Sequence, residues 1–286
     1  MSGYLDAVIY VILSSLAFVF LDHLMVALNP LIALLAMSSI ALLFFNLLSI
    51  NKIISTYRAC WQHKVLYFWM SVGLAVDWIC MVYASHKSDP FVAMAALFVS
   101  LALIGFLRLS WTDRSINKLI SVILLGFSLV LLWFFYKVPI NHSVSLGVLL
   151  GAMAGCAFYI YIANSAKLAQ LGCLNSLQIL STRFWLLWIV AFIFVPKADL
   201  WVNIYQNLQM LIPISFASLI IPIYFNQRAI QKLGANLTAV FIGSVPPVTF
   251  VFYVIYTHEF HRLNALVCVI ITLALMLPVI YKSKNI

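Results

Sequence analysis

Along the chain, long apolar runs are interrupted by short polar breaks at intervals close to the length of a membrane-crossing helix. Such a helix needs about 20 apolar residues to cover the roughly 30 Å hydrocarbon core. Polar breaks and prolines divide the chain into ten runs of this kind: 4–21, 30–50, 65–84, 90–109, 117–136, 144–163, 174–195, 209–226, 236–257 and 263–281. Asn29-Pro30 and Asp89-Pro90 each put a capping side chain just before a proline suited to the first helical position. The first run has no basic region before it and no small-residue cleavage pattern after it, so it reads as a retained helix and not a signal peptide. The predicted fold class is an all-α integral membrane protein of ten transmembrane helices.

Composition sharpens this reading by exclusion. Of 286 residues, 65% are apolar and 8% charged, whereas a soluble domain carries roughly 25% charged residues. That excludes a soluble enzyme, a disordered chain and a nucleic-acid binder. Cys60, Cys80, Cys156, Cys173 and Cys268 are scattered singly, a spacing that signals neither a disulfide framework nor a zinc site. The net charge of +9 follows topology. One side of the membrane collects eleven basic residues: Lys52, Arg58, Lys64, Arg108, Arg114, Lys118, Lys167, Arg228, Lys232, Lys282 and Lys284. The other collects four, Lys87, Lys137, Lys197 and Arg262, while Arg183 lies inside a span. By the positive-inside rule both termini are expected in the cytoplasm. The basic excess orients the chain in the lipid bilayer and calls for no acidic partner.

The chain also resembles itself. Residues 83–115 and 229–261 share a layout under a shift of 146 positions: a helix end, a short turn (Ser88-Asp89-Pro90; Gly234-Ala235-Asn236), a long apolar span, then a carboxylate (Asp113; Glu259). The matched identities are Ala93/Ala239, Val99/Val245 and Phe106/Phe252. Five spans per half, 1–138 and 139–286, force the second half to enter the membrane from the opposite side. Inverted repeats of that kind are built into many secondary transporters, with the substrate site near mid-membrane between the halves.

The stretch from Lys232-Leu233-Gly234-Ala235-Asn236 through Pro246 to Glu259-Phe260 resembles the second half of the drug/metabolite transporter superfamily, EamA-type. The likeness lies in a leucine-glycine-alanine turn, a proline in the ninth helix and a glutamate thirteen residues after Pro246. Arg183-Phe184 in the seventh span and Tyr159 in the sixth also stand where that family often places Arg-Phe and Tyr. Val245 replaces the family's common glutamate, Ser100 its first-half proline, and Phe18 its usual tryptophan. The resemblance implies the ten-span fold, a bacterial inner-membrane location and, by habit of the group, export. It implies no particular substrate.

Charge inside a span is the sharpest functional pointer, because it costs about 2.5–3.5 kcal/mol on insertion scales. Asp6, Asp22, Asp89, Asp113, Asp199 and Glu259 fall near span ends or in loops; Asp77 in the third span and Arg183 in the seventh are deep. Asp77, aligned with Ile223 by the repeat, is expected to line a central cavity and bind a substrate cation or a coupling proton. Its bland reading is a structural pair with Arg183, and a structural role is the favoured reading of Arg183. If both face the cavity, they suit a zwitterion such as an amino acid. Trp69, Gly73 and Asp77 lie at i, i+4 spacing, with Met81 continuing the stripe and Trp78 beside it. Tyr159, Asn226 and Gln227 offer hydrogen bonds, although Asn226 and Gln227 read at least as well as loop residues. Trp61, Trp111, Trp133 and Trp201 at span ends read as interfacial-belt residues.

Gly147, Gly151 and Gly155 give the sixth span a smooth face for close helix approach. Pro213, Pro222, Pro246 and Pro247 free backbone groups and are candidates for gating bends or static kinks. His258-Glu259-Phe260-His261 fits a turn better than a metal site, and no metal or other cofactor is expected; proton coupling would rest on Asp77. The chain is thus expected to be a carrier, monomeric or homodimeric, that moves a small polar or amphipathic metabolite by alternating access. A nucleotide-sugar-type exchanger of the same fold is the alternative, to which the dilysine-like tail Lys282-Ser283-Lys284-Asn285-Ile286 adds little. An integral membrane enzyme or assembly protein is the rival class.

Overall fold

The computed structural model describes residues 2–88, 90–112, 116–135, 142–172, 174–197 and 200–283. Asp89, Asp113, Arg114, Lys137, Cys173, Asp199 and residues 284–286 lie outside these, as do the side chains of Asp22, Trp111 and Lys282. The described chain is helical throughout, with no strand. In order the helices are α1 (Gly3–Ala27), α2 (Pro30–Leu48), α3 (Ile53–Gln62), α4 (Lys64–Lys87), α5 (Pro90–Thr112), α6 (Ile116–Phe135) and α7 (His142–Gln170). They continue as α8 (Ser176–Thr182), α9 (Trp185–Phe194), α10 (Leu200–Ile214), α11 (Ile221–Leu233), α12 (Ala235–Ile242), α13 (Val245–Thr257) and α14 (Arg262–Ser283). A six-residue π-helical turn, Ser215–Ile220, joins α10 to α11. Eight helical stretches are long and apolar enough to cross a membrane, and Gly3–Val19 and Arg262–Pro278 are shorter apolar helices. This is an all-α architecture with the helices of a multi-pass membrane protein.

Local chemistry sets several boundaries. Asn29 caps α2, its Oδ1 accepting from Leu31 N at 3.0 Å before the proline at the first position. Gly234 ends α11 at φ 78°, a left-handed turn open to glycine at no steric cost. Pro246 and Pro247 lack the N–H groups that would bond the carbonyls of Ile242 and Gly243, and the helix breaks there into α12 and α13. Two differences from the sequence reading concern extent: the run 209–226 lies within helix that continues to Leu233, and the break at 51–64 holds the short helix α3. Packing explains α3. Its Thr56 accepts from Gln178 Nε2 at 2.9 Å, while Ile54 and Trp61 face outward.

Broken helices expose carbonyls that an apolar layer cannot solvate, and side chains from elsewhere take them up. At the interruption between α8 and α9, Asn46 Nδ2 donates to Ser181 O at 2.9 Å and Tyr67 Oη to Thr182 O at 2.8 Å. Beside the α12–α13 break, Ser15 Oγ also donates to Val245 O, in the first turn of α13, at 3.2 Å.

The helices pack in a definite set of pairs. α4 and α5 both lie against α7; α1 lies against α11, α12 and α13; α2 against α8 and α9; α6 against α14; and α5 against α12. Small residues permit the closest of these. A Cβ on Gly73 would stand 2.7 Å from Ala157 O, and one on Gly151 2.6 Å from Ala93 O; Gly155 faces the Leu97 carbonyl and Gly147 faces Ser88. The glycine face expected on the sixth span is therefore the surface on which α4 and α5 rest.

Gly73 and Gly126 both sit within helices, but nothing lies within 4 Å of a Cβ on Gly126. Gly73→Ala is expected to destabilise by about 1–3 kcal/mol through forced separation of α4 and α7. Gly126→Ala is expected to be neutral or stabilising by up to about 1 kcal/mol. Thermal unfolding of both variants in detergent checks the difference in sign.

Candidate functional site

α1, α4, α5, α7, the Arg183 interruption, the π turn and α11 enclose a cavity of about 60 Å³. That is room for a few waters in this conformation, since one water needs roughly 10–15 Å³ by the same measure. α4 supplies Leu74, Asp77, Trp78 and Met81, the i, i+3, i+4, i+7 set of one helical face. α1 supplies Tyr10, Ser14, Ala17 and Phe18 by the same rule. Most of the remaining wall is apolar, with Leu97, Phe98, Phe158 and Ile223; Arg183, Ser218 and Asn226 complete it.

Asp77 is buried near the midpoint of α4, at 6% exposure. Among the described residues neither it nor Arg183 takes part in an ion pair within 4.0 Å. The two charges still act on each other electrostatically, but the geometry is not that of a closed structural pair. Arg183 is instead tied to its own surroundings. Its Nη1 donates to Tyr161 Oη at 2.5 Å; Tyr161 Oη donates to Gln227 Oε1 at 2.5 Å; Gln227 Nε2 donates to Ser165 Oγ at 2.8 Å. The guanidinium carbon lies 4.4 Å from the Phe184 ring centroid and 5.0 Å from that of Tyr161, within cation–π range. Among the described residues its buried Nε has no partner.

The expected site residues divide accordingly. Asp77, Trp78 and Arg183 line the cavity together with Ile223, the position aligned with Asp77. Trp69 and Gly73 do not: Trp69 is 48% exposed on the outer surface, and Gly73 is pressed on α7. The reason is helical winding. Each i+4 step overshoots a full turn by about 40°, so an i+4 stripe walks around the helix and Trp69 ends about 80° from Asp77. Tyr159 donates to Asn236 Oδ1 at 2.6 Å and is not part of the lining. Pro222 opens α11 just after the π turn, and Pro246 and Pro247 open α13, so all three stand at helix discontinuities.

Other residues are more deeply placed than the sequence suggested. Asn226 and Gln227 are not in a loop but fully buried, about 10 Å inside the end of α11. Gln227 has both amide atoms hydrogen-bonded, to Tyr161 and Ser165, while Asn226 faces the cavity with both amide atoms unpartnered. An unmet buried group costs about 1–3 kcal/mol. The overlooked signal was the spacing of Ile223, Asn226/Gln227 and Ile230, an inward stripe continuing beyond the expected span end. Asp6, expected near a span end, is also fully buried. Lys232 Nζ lies 2.7 Å from its Oδ2 and Arg228 Nε 3.5 Å, joining α1 to the end of α11. Among the described residues no histidine, cysteine and carboxylate group suits a metal ion. His261 and Glu259 meet at 3.6 Å on an exposed turn, and Cys60, Cys80, Cys156 and Cys268 are free.

No family model and no curated protein matches the chain. A solved crystal structure of another protein does, with a TM-score of 0.66 over 96% of this chain and 96% of that one, at 14% sequence identity. A likeness at that identity extends to the fold: the helix arrangement is shared with a solved protein over nearly the full length of both chains.

Tyr161→Phe keeps the ring but removes the acceptor for Arg183 and the donor to Gln227. Its expected cost is about 1.5–3 kcal/mol, the range for a hydrogen bond to a charged group. In an Arg183→Met background the same change is expected to cost much less, because the two residues act as a unit. Unfolding measurements around this double-mutant cycle check it; equal losses in both backgrounds would show that the two residues act independently.

Proposed function

We propose that the protein is a secondary transporter of ten transmembrane helices, resembling the EamA-type drug/metabolite transporters. It moves a small polar or amphipathic metabolite by alternating access between two inverted halves, 1–138 and 139–286. The observation that carries the reading is the cavity itself: a buried carboxylate and a buried guanidinium line it without forming an ion pair with each other. Such charge is costly in a membrane and is kept where a solute or coupling ion uses it. Asp77 is the group for a substrate cation or proton, and Arg183, fixed by Tyr161, is a stationary positive charge facing it. An amino-acid-like zwitterion or an organic cation fits that pair.

The packing pattern supports the inverted repeat. Let each span exchange with its counterpart five spans away, with α8–α9, α10–α11 and α12–α13 each taken as one span. The contact of α4 with α7 then becomes that of α11 with α1, and α5 with α7 becomes α12–α13 with α1. The pairings of α2 with α8–α9, α6 with α14, and α5 with α12 map onto themselves. The matched residues Ala93, Val99, Ala239 and Val245 are all fully buried. In this reading both termini face the cytoplasm of a bacterial cell, and the direction is export.

Counterflow in proteoliposomes preloaded with amino acids, amines and nucleotide-linked metabolites tests the proposal. Native protein is expected to exchange at least one member of the pool, and folded Asp77→Asn to lose that exchange. Equal exchange by both would keep the carrier and remove Asp77 from its mechanism.

A further inference from the structure

Asn226 is fully buried, lines the cavity, and has a hydrogen-bond partner for neither Oδ1 nor Nδ2. Among the described residues it is the one side-chain amide with both atoms buried and unmet; the other neutral groups in that condition are the single hydroxyls of Ser49, Ser71 and Thr249, none of which lines the cavity. Gln227 beside it has both amide atoms hydrogen-bonded, so α11 turns one amide into a packing network and the other, about 100° around the helix, into the cavity. Packing alone does not account for that choice, because a leucine of similar volume would suit this largely apolar wall with nothing left unmet. Two charged groups share the cavity: the Asp77 carboxylate, which only accepts and has no ion-pair partner within 4.0 Å among the described residues, and Arg183, whose unpartnered Nε–H only donates. An amide does both. Together they complement a solute bearing a cationic donor beside a planar acceptor.

We propose that Asn226 is the selectivity residue of this cavity: its amide grips the carboxyl or carboxamide group of an amphipathic solute whose ammonium faces Asp77 and whose apolar body lies against Phe98 and Phe158. The inference rests on the carrier reading and adds to it the residue that tells such a solute from a simple amine. Asp77 attracts both. Only a solute with an acceptor next to its ammonium also engages Arg183 Nε and Asn226 Nδ2, while Asn226 Oδ1 takes a remaining N–H.

Leucine, leucinamide and 3-methylbutylamine share one apolar body and differ only in that acceptor. Counterflow of the three is compared for native protein, Asn226→Leu and Asn226→Asp, alongside the melting temperature of each unloaded protein. Native protein is expected to favour leucine and leucinamide over the amine by roughly tenfold, the ratio one good hydrogen bond supplies. Asn226→Leu is expected to exchange the amine and lose the preference. Asn226→Asp is expected to reject leucine, whose carboxylate would meet a second negative charge, and to keep leucinamide. Unloaded Asn226→Leu is expected to melt at or above the native temperature, because an unmet buried amide is gone.

Preference retained in Asn226→Leu overturns the inference and leaves the carrier standing. So does a fall of about 2 °C or more in its unloaded melting temperature, since the amide would then serve the fold. Exchange of none of the three by native protein overturns the carrier reading for this chemistry, and the inference with it. If Asn226→Leu does not fold, the contrast between leucine and leucinamide in Asn226→Asp decides: no contrast overturns the inference.

Discussion

A helix can be broken inside an apolar layer only if other groups in the protein take up the backbone atoms it releases. Here two such releases lie late in the chain, at Ser181 and Thr182, and the donors that meet them lie early, at Asn46 and Tyr67. The N-terminal helices α2 and α4 therefore complete the α8–α9 interruption, and α1 adds the Ser15 bond to the first turn of α13. Without those two donors, the carbonyls at the interruption would face apolar surroundings at about 1–3 kcal/mol each. The interruptions in turn carry site chemistry, since Arg183 sits at one and Ser218 within the π turn.

This arrangement divides the cavity by rigidity. Asp77 stands on α4, a continuous helix held by Gly73 against the backbone of α7. Arg183 and Ser218 stand at discontinuities, and Asn226 lies within the helix that follows the π turn. One wall is thus fixed by close backbone contact, and the other is built from segments that meet at breaks. The Arg183–Tyr161–Gln227–Ser165 chain ties α7, the α8–α9 interruption and α11 together, so the discontinuous wall keeps its side chains in register despite the missing backbone bonds. At the end of the same contact, Asp6 with Lys232 and Arg228 fastens the start of α1 to the end of α11. That cluster pairs its charges through Asp6 Oδ2, whereas Asp77 and Arg183 in the cavity form no ion pair among the described residues.

Much of this was legible along the chain because it rests on local chemistry. Apolar runs of bilayer length marked the helices, Asn29-Pro30 marked a start, Gly234 a stop, and Pro246-Pro247 an interruption. Asp77 and Arg183 stood out because charge in an apolar run is costly wherever it points. Tertiary structure decided the rest, because the deciding contacts join residues far apart in sequence: Ser15 with Val245, Asp6 with Lys232, Tyr161 with Gln227. No local pattern separates Gln227, hydrogen-bonded to α7, from Asn226 beside it, left open to the cavity. A polar side chain's role in an apolar layer is set by whether a neighbouring helix brings it a partner, and only the packing of helices fixes which neighbour that is.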